Sequence, residues 1–406
     1  MPRARCQAAI VSVGNELLFG QTVDTNAAWL SRALADRGIS VLRRFTVRDV
    51  EVDIQEAVSA AARGVDLVIV SGGLGPTPDD ITTASVARGL GLSLTADRQG
   101  VEVPQYAQLL TNPVGTAPGV LIESGQTTIV LLPGVPRELE AVFEGDLEAA
   151  LADLAGPDAG SVHHRVVHTT GIAEPMLADA VQERLYRGAN EYAAGITLAY
   201  LPSLRGVDLR FSITDARGGK VEERFDRLIE ELNPALVPWR FEAEHGDLAE
   251  AVATALERSG RTLAVVESCT GGLLAKRMTD GAGASKVFVG GVIAYANKVK
   301  VAQVGVTDEM LEQHGGVSEV VAKQLARGAA KRLGAEVGIG ITGVAGPGGG
   351  AGDKPVGTVW IAVSVDGVVE SIRTHFKGDR GSVRERAVQA ALASLYRRLM
   401  FERTED

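Results

Sequence analysis

The sequence predicts an α/β protein: two three-layer α/β domains joined by a small α+β domain. Three observations carry that prediction. Residues 7–150 alternate short apolar runs with helix-periodic segments, the rhythm of a mostly parallel sheet covered by helices. Residues 246–403 alternate in the same way and close with a hairpin pattern and a long helix. Residues 165–242 break the rhythm, with two adjacent strand patterns and two helices.

Taken in order, Gln7–Val13 is an apolar run ending in Gly14. Asn26–Arg37 places Trp29, Leu30, Ala33 and Leu34 on one helical face, with Gly38 as its stop. Ser40–Arg44 reads as a second strand and Ile54–Arg63 as a helix. Asp66–Val70 is a buried strand closed by Ser71-Gly72-Gly73, and Thr82–Leu90 is a helix. Thr128–Leu132 is a strand closed by Pro133-Gly134. In the middle, His164–Thr169 reads as a strand and Glu174–Arg187 as a helix. Thr197–Leu201 and Val207–Ile213 form a hairpin, followed by an amphipathic helix over Val221–Leu232. The last unit reads as helix Leu248–Ser259, strand Thr262–Val266, helix Gly271–Thr279, strand Val287–Ala294, helix Ser318–Leu333 and strand Val337–Thr342. A hairpin over Thr358–Val365 and Val368–Thr374 and a closing helix over Ser382–Leu399 follow. The expected domains are residues 1–164, 165–245 and 246–406.

With 406 residues, 45% of them hydrophobic, the chain has material for several cores and is not a disordered protein. A net charge of −10 with 4% aromatics disfavours nucleic acid as partner. Two cysteines, Cys6 and Cys269, cannot build a disulfide framework. The short apolar run near the N-terminus is not a signal peptide, and no run is long enough to span a membrane. A cytoplasmic location is therefore the expectation.

Three strand ends in the first unit carry unusual polar groups: Gly14-Asn15-Glu16, Ser71-Gly72-Gly73-Leu74-Gly75-Pro76-Thr77-Pro78-Asp79-Asp80, and Pro133-Gly134-Val135-Pro136-Arg137-Glu138. In an open parallel sheet such ends face one ligand crevice. Glycines such as Gly73 and Gly75 let backbone amides approach a phosphate. Asp79, Asp80 and Glu16 are hard oxygen donors suited to a divalent cation. The competing reading makes Asp79 or Asp80 a cap for the helix that follows. No dinucleotide fingerprint and no Walker lysine follows any of these loops.

In the last unit, Glu267-Ser268-Cys269-Thr270-Gly271-Gly272 joins a strand to a helix. A helix N-terminus there favours developing negative charge, which makes Ser268 a candidate nucleophile. A simple N-cap is the competing reading. Cys269 is either the nucleophile or a buried filler. No histidine lies in a nearby motif, so lysine is the candidate base. Tyr295-Ala296-Asn297-Lys298-Val299-Lys300 offers two. Thr342-Gly343-Val344-Ala345-Gly346 suits an oxyanion or phosphate cradle, and Arg380 could fork onto a phosphate. His163, His164 and His168 cluster without a carboxylate at ligand spacing.

The first-unit strings resemble the molybdopterin-binding (MoaB/MogA-like) domain that opens proteins of the competence/damage-inducible CinA family. That resemblance implies a metal-dependent ADP-ribose pyrophosphatase, with Mg, Mn or Co as its ion. Glu16, Asn26, Asp79, Asp80 and Glu138 fall on motif positions. Residues 246–403 resemble the nicotinamide mononucleotide amidohydrolase (PncC) domain of that family, on the strings at 267–272, 295–300, 343–347, 354–360 and 378–380. The resemblance implies a Ser–Lys pair, Ser268 with Lys300 rather than Lys298, with Ser285 as a supporting serine and no cofactor. Position 296 is Ala where many members carry Ser. The implied mechanism has Lys300 deprotonating Ser268, relayed by Ser285 or Tyr295, with Thr342 steadying the oxyanion. Gly271, Gly343, Gly346, Asn297 and Arg380 would hold substrate. Residues 165–242 resemble a small KH-like spacer, without the Gly-x-x-Gly clamp that binds nucleic acid. A homodimer is expected on the frequency of two-fold pairs. The other reading of the whole chain is a non-catalytic nucleotide- or molybdopterin-binding protein acting in competence or the DNA-damage response.

Overall fold

A computed structural model of the chain describes residues 6–96, 102–156, 161–186, 195–215 and 220–401. By packing, the chain divides into two units, residues 1–164 with 212–224 and residues 165–211 with 225–406. The α/β fold class holds in both sheets that carry helices on two faces.

In the first unit, β1 (Gln7–Val13), α1 (Asn15–Leu18), α2 (Thr25–Asp36), β2 (Ser40–Val47), α3 (Glu51–Ala61), β3 (Leu67–Ser71) and α4 (Thr82–Gly89) follow the expected alternation. The sequence reading left residues 92–127 unassigned. They hold β4 (Leu94–Ala96), β5 (Glu102–Pro104), β6 (Gln108–Leu110) and β7 (Gly119–Ser124). After these come β8 (Thr127–Leu132), α5 (Pro136–Glu144) and α6 (Leu147–Ala155). The sheet order is β2-β1-β3-β8-β7-β6. Strands β2, β1, β3 and β8 are parallel, and β7 and β6 run antiparallel. Alternation along β1 loads both faces. Ala8 and Ile10 pack with Leu30, Leu34, Val142 and Phe143. Ala9, Val11 and Val13 pack with Ile54, Val58 and Val86. Each face is thus covered by helices, which makes three layers.

Strand β9 (Ser161–Thr169), α7 (Glu174–Tyr186), β10 (Ile196–Pro202), β11 (Val207–Asp215), α8 (Val221–Leu236) and β12 (Arg240–Phe241) form the middle segment. Its sheet order is β10-β11-β9-β12, with β12 antiparallel to β9. The expected end of α7, Arg187, lies outside the described residues. Helix α8 extends past Leu232 and contains Pro234.

The last segment holds α9 (Leu248–Ser259), β13 (Leu263–Glu267), α10 (Leu273–Asp280), a single 3₁₀ turn at Ala284–Lys286 and β14 (Phe288–Ile293). Two helices that the sequence reading missed follow, α11 (Asn297–Val304) and α12 (Asp308–His314). Then come α13 (Glu319–Leu333), β15 (Val337–Gly343), β16 (Thr358–Val365), β17 (Val368–His375) and α14 (Arg380–Phe401). The sheet order is β14-β13-β15-β16-β17, with the first three parallel and the last two antiparallel. Leu263 and Val265 face α9 and α14, while Ala264 and Val266 face α13. Gly338 and Gly340 let α13 rest on bare strand backbone. A Cβ at Gly338 would sit 2.0 Å from the Ala326 carbonyl oxygen, and one at Gly340 2.5 Å from that of Ala322.

A buried polar chain ties the middle segment to the last one. Gln389 donates to the Thr170 hydroxyl and accepts from Arg277, whose second nitrogen donates to Asp247. Asp247 also accepts from Arg205, at 2.8 Å, and from the amide of Ala249, which caps α9. No helix among the described residues is long and apolar enough to cross a membrane.

Candidate functional sites

Both three-layer sheets have a topological switch point, where successive connections leave in opposite directions and a crevice opens at the carboxyl ends of the strands. In the first sheet it lies between β1 and β3. Gly72, at φ 103°, brings β3's end so close to β1 that a Cβ would stand 2.3 Å from the Val13 carbonyl oxygen. The crevice is a cavity of about 680 Å³. Glu16, Asn26, Gly73, Gly75, Asp79, Asp80 and Glu138 all line it, so the structure brings every expected first-unit residue to one place.

What these residues do there differs from the expectation. Asp80 accepts from both the amide and the hydroxyl of Thr77. Burial pushes its pKa up, but these bonds and one from the Gly75 amide outweigh burial and hold it below the ordinary carboxylate value. Its carboxylate is therefore folded onto its own loop. Neither Asp79 nor Asp80 caps α4, which has Ile81 at its N-cap and no side-chain cap. Glu16 is exposed and lies over Gly14. Among the described residues, Glu16, Asp79 and Asp80 do not close into a group of three donors within 4.8 Å of one another. Asn26 donates to the Gly134 carbonyl at 2.7 Å and thereby straps the start of α2 to the Pro133-Gly134 loop. Glu138 accepts from Asn112 at 2.7 Å. Asn112 and Asp49 were missed by sequence reasoning. Asp49 lines the cavity and accepts from the Asn15 amide. The exposed carboxylates of Glu16 and Asp79 line a roomy cavity. That donor set fits a Mg²⁺-type ion, which takes one or two carboxylates and completes its shell with water and substrate phosphate.

In the last sheet the switch point lies between β13 and β15. Glu267 pairs with Ile293 on β14 and with Ile341 on β15. Ser268, Ala294 and Thr342 are therefore next-in-line residues on three adjacent strand ends, spaced about 4.8 Å per strand. Ser268 is buried, and its amide donates to the Ile341 carbonyl. Lys300, in the first turn of α11, is 2% exposed. Its Nζ donates to the Tyr295 carbonyl at 3.0 Å and not to Ser268. Burial pushes its pKa below the ordinary lysine value, while neighbouring Cys269 acts the other way. Cys269 is packed in the core, and burial raises its thiol to about 11. A thiol held that high carries little thiolate, which leaves Ser268 the better-placed nucleophile.

The loops around Ser268 are knitted together by groups the sequence reading assigned elsewhere or overlooked. Glu267 is 1% exposed and accepts from the amides of Gly272, Leu274 and Ala275, at 2.8–3.1 Å. The start of α10 is thus already occupied by a carboxylate, so its dipole is not free to steady an oxyanion at Ser268. Gly271 and Gly272, at φ 61° and 95°, make the turn that allows this. Arg384 donates through two nitrogens to the Thr270 carbonyl, and the buried Thr270 hydroxyl has no partner among the described residues. Arg380 donates to the Gly346 carbonyl and to the Tyr295 hydroxyl. Asp379 accepts from the Ser382 amide and so fixes the first turn of α14.

Two expected roles change. Thr342 spends its hydroxyl proton on the Gly316 carbonyl, at 2.7 Å, so it braces a loop and does not offer a donor to an oxyanion. Asn297 lies against Gly316 on the same loop. Ser285 sits at the opposite edge of the sheet. The Val287 carbonyl bonds the amide of Leu263, which starts β13, whereas Ser268 follows its end. Five residues at about 3.3 Å each put roughly 16 Å between the two levels. The relay through Ser285 is therefore not built within one chain. Gly343 and Gly346 shape the third strand-end loop as expected. His164 Nδ1 lies 2.7 Å from the Ser212 hydroxyl, and His168 Nδ1 lies 3.0 Å from an Asp208 carboxylate oxygen.

Residues 9–153 match the family model described as a probable molybdopterin binding domain, and residues 245–399 match the CinA C-terminal domain. A CinA-like protein of Gemmatimonas aurantiaca is 39% identical over 98% of this chain and 97% of its own length. The chain belongs to the CinA family. A putative competence-damage inducible protein of Moorella thermoacetica is 38% identical over 97% of this chain and 99% of its own. Among solved structures, a CinA superfamily protein from Klebsiella pneumoniae is 36% identical over 38% of this chain and 96% of its own, at a TM-score of 0.37. This CinA-family chain thus pairs a probable molybdopterin binding domain with a CinA C-terminal domain.

Proposed function

We propose that the C-terminal domain hydrolyses the carboxamide of nicotinamide mononucleotide, and that the MoaB-like domain cleaves ADP-ribose to AMP and ribose 5-phosphate with a divalent ion. The observation that carries the first half is a buried lysine with a lowered pKa at the same sheet edge as a buried serine. Neutral Lys300 accepts the Ser268 proton, and Oγ attacks the carboxamide carbon. Ammonia leaves with a proton from Lys300, and water then releases the acid. For this, Nζ turns one lone pair from its neighbours toward Ser268. Arg380 and Arg384 supply positive charge beside the loop for the substrate phosphate. Tyr295, its hydroxyl held by Arg380, orients the lysine through its carbonyl. Chromatography of nicotinamide mononucleotide incubations tests this. Ser268→Ala should lower ammonia release by about 10³-fold or more, and unchanged release would sink the serine assignment.

In the MoaB-like domain a bound ion would neutralise the charge that develops on the diphosphate. Glu16 and Asp79 would hold it, Glu138 would face the substrate from α5, and the Gly72–Gly75 amides would approach phosphate oxygens. Chelation should stop AMP formation and leave ammonia release intact. A second reading has one observation in its favour: Asp80 is engaged by Thr77 rather than aimed at the cavity. On that reading the domain binds a nucleotide or pterin without turnover, and AMP would form at no ion concentration. We also expect a homodimer in light scattering, since edge strand β14 exposes Val289 and Ile293.

A further inference from the structure

Ser268 and Cys269 are neighbours at one strand-to-helix turn, and an ionised sulfur is the stronger nucleophile of the two. The fold surrounds that sulfur with groups that ordinarily ionise a thiol. The turn made by Gly271 and Gly272 leads into α10, whose first amides point back along the loop. Arg384 reaches the carbonyl of Thr270, the next residue, with two nitrogens at 3.1 and 2.7 Å. Arg380, one turn earlier on α14, also favours negative charge at position 269. A helix start and nearby cations are the setting in which cysteines become thiolates.

Glu267 is what opposes them. Its carboxylate is 1% exposed and accepts from the amides of Gly272, Leu274 and Ala275 at 3.0, 3.1 and 2.8 Å. The partial positive charge of the helix start is therefore spent on an oxygen anion at hydrogen-bond range. A thiolate at position 269 would be a second negative charge beside a buried one. The charged groups that act on the sulfur are Glu267 on β13, Arg380 and Arg384 on α14, and Lys300 on α11. Of these only Glu267 carries negative charge, and it adds to the burial that keeps the thiol protonated.

The same residue also anchors the base. The Glu267 carbonyl accepts from the Ala294 amide at 2.8 Å. Tyr295 comes next, and its carbonyl accepts from Lys300 Nζ. One residue thus fixes the loop that carries the hydroxyl and the strand end that holds the amine.

We propose that Glu267 is a positioning residue that reserves attack for Ser268: it fills the start of α10 with its own charge, so Cys269 stays protonated and Lys300 is left to serve the neighbouring hydroxyl. Only the identity of the attacking atom rests on the deamidase reading; the state of the sulfur is measured without substrate. Full-length protein labelled with [3-¹³C]cysteine is titrated, and the Cβ resonance reports ionisation of each sulfur. The chain holds two cysteines, and Cys6→Ala assigns the pair. Glu267→Gln should raise the ionisation constant of Cys269 by about 10-fold or more. Glu267→Asp keeps the charge and should stay within about 2-fold of wild type, whereas a merely structural role would move both variants alike. An unchanged constant in Glu267→Gln that is folded by circular dichroism would overturn the proposal. Where Glu267→Gln does not fold, Arg384→Gln takes its place. Losing a cation beside the sulfur should lower the constant by about 3-fold or more. No change there would also overturn the proposal, since burial alone would then hold the proton. Failure of the serine assignment shows separately, as ammonia release that survives Ser268→Ala, and leaves these constants untouched.

Discussion

The two switch-point crevices occupy the same position in their sheets and spend their polar groups in opposite ways. In the C-terminal domain the polar groups are tied inward. Glu267 holds three amides, Arg384 holds Thr270, Thr342 holds Gly316, and Lys300 is desolvated beside them. In the MoaB-like domain Glu16 and Asp79 stay exposed around a wide cavity. The difference follows from the chemistry each crevice suits. A serine needs a base whose proton affinity has been lowered, and burial in a rigid frame does that. Carboxylates meant for a hydrated cation can stay in water until ion and diphosphate arrive together.

The largest expected effect breaks the rigid frame. Glu267→Ala leaves one buried and two half-buried amides without an acceptor and should destabilise the C-terminal domain by about 3 kcal/mol or more in urea unfolding. Glu267→Gln, which keeps one acceptor oxygen, should lose less. If both variants unfold with wild type, the frame is not what holds the Ser268 loop.

Next in size is the price of a buried amine. Lys300 has a folded-state pKa below its unfolded value near 10.5. Between the two values the unfolded chain binds more protons, so stability rises with pH across that window, and the penalty is full below it. Lys300→Met should therefore stabilise the protein by about 1 kcal/mol at pH 7 while abolishing ammonia release. The gain should shrink as pH climbs toward 10.5. In wild type, ammonia release should rise with pH through the lowered lysine value. A variant that is less stable than wild type at pH 7 would mean the amine is satisfied as an ion.

The smallest effect falls on the open crevice. Asp80 has a lowered pKa, so its contribution is present above the unfolded value of 3.8 and lost as pH falls through the folded one. Asp80→Asn should cost less than about 1 kcal/mol at pH 7 and progressively less as pH falls below 3.8, read from urea midpoints. A loss as large as that of Glu267→Ala would erase the contrast between the two crevices.

The strands that build both crevices were legible because they are fully buried apolar runs stopped by glycine or a polar turn, as in β1, β3, β13 and β15. Strands β4, β5 and β6 have three residues each, too few for any period to show. The residues that meet at each site were also legible, since strand ends announce themselves. Their bonding was not. Whether Thr342 offers its hydroxyl to a ligand or to Gly316 depends on a loop 26 residues away. Whether a helix N-terminus is free depends on Glu267, which local pattern reads only as the first residue of the turn after a strand. Ser285 was misplaced because its motif neighbours give no hint that β14 starts beside the beginning of β13.

The chain of bonds from Thr170 through Gln389 and Arg277 to Asp247 and Arg205 has a practical consequence for anyone dissecting this molecule. A truncation starting at residue 246 keeps the guanidinium of Arg277 and the amide of Gln389 but strips away Thr170, and with it Arg205 from Asp247. Such a fragment would inherit an interior wired for a neighbour it no longer has. Polar-to-apolar repair at position 389 would then matter more to its yield than any change near Ser268.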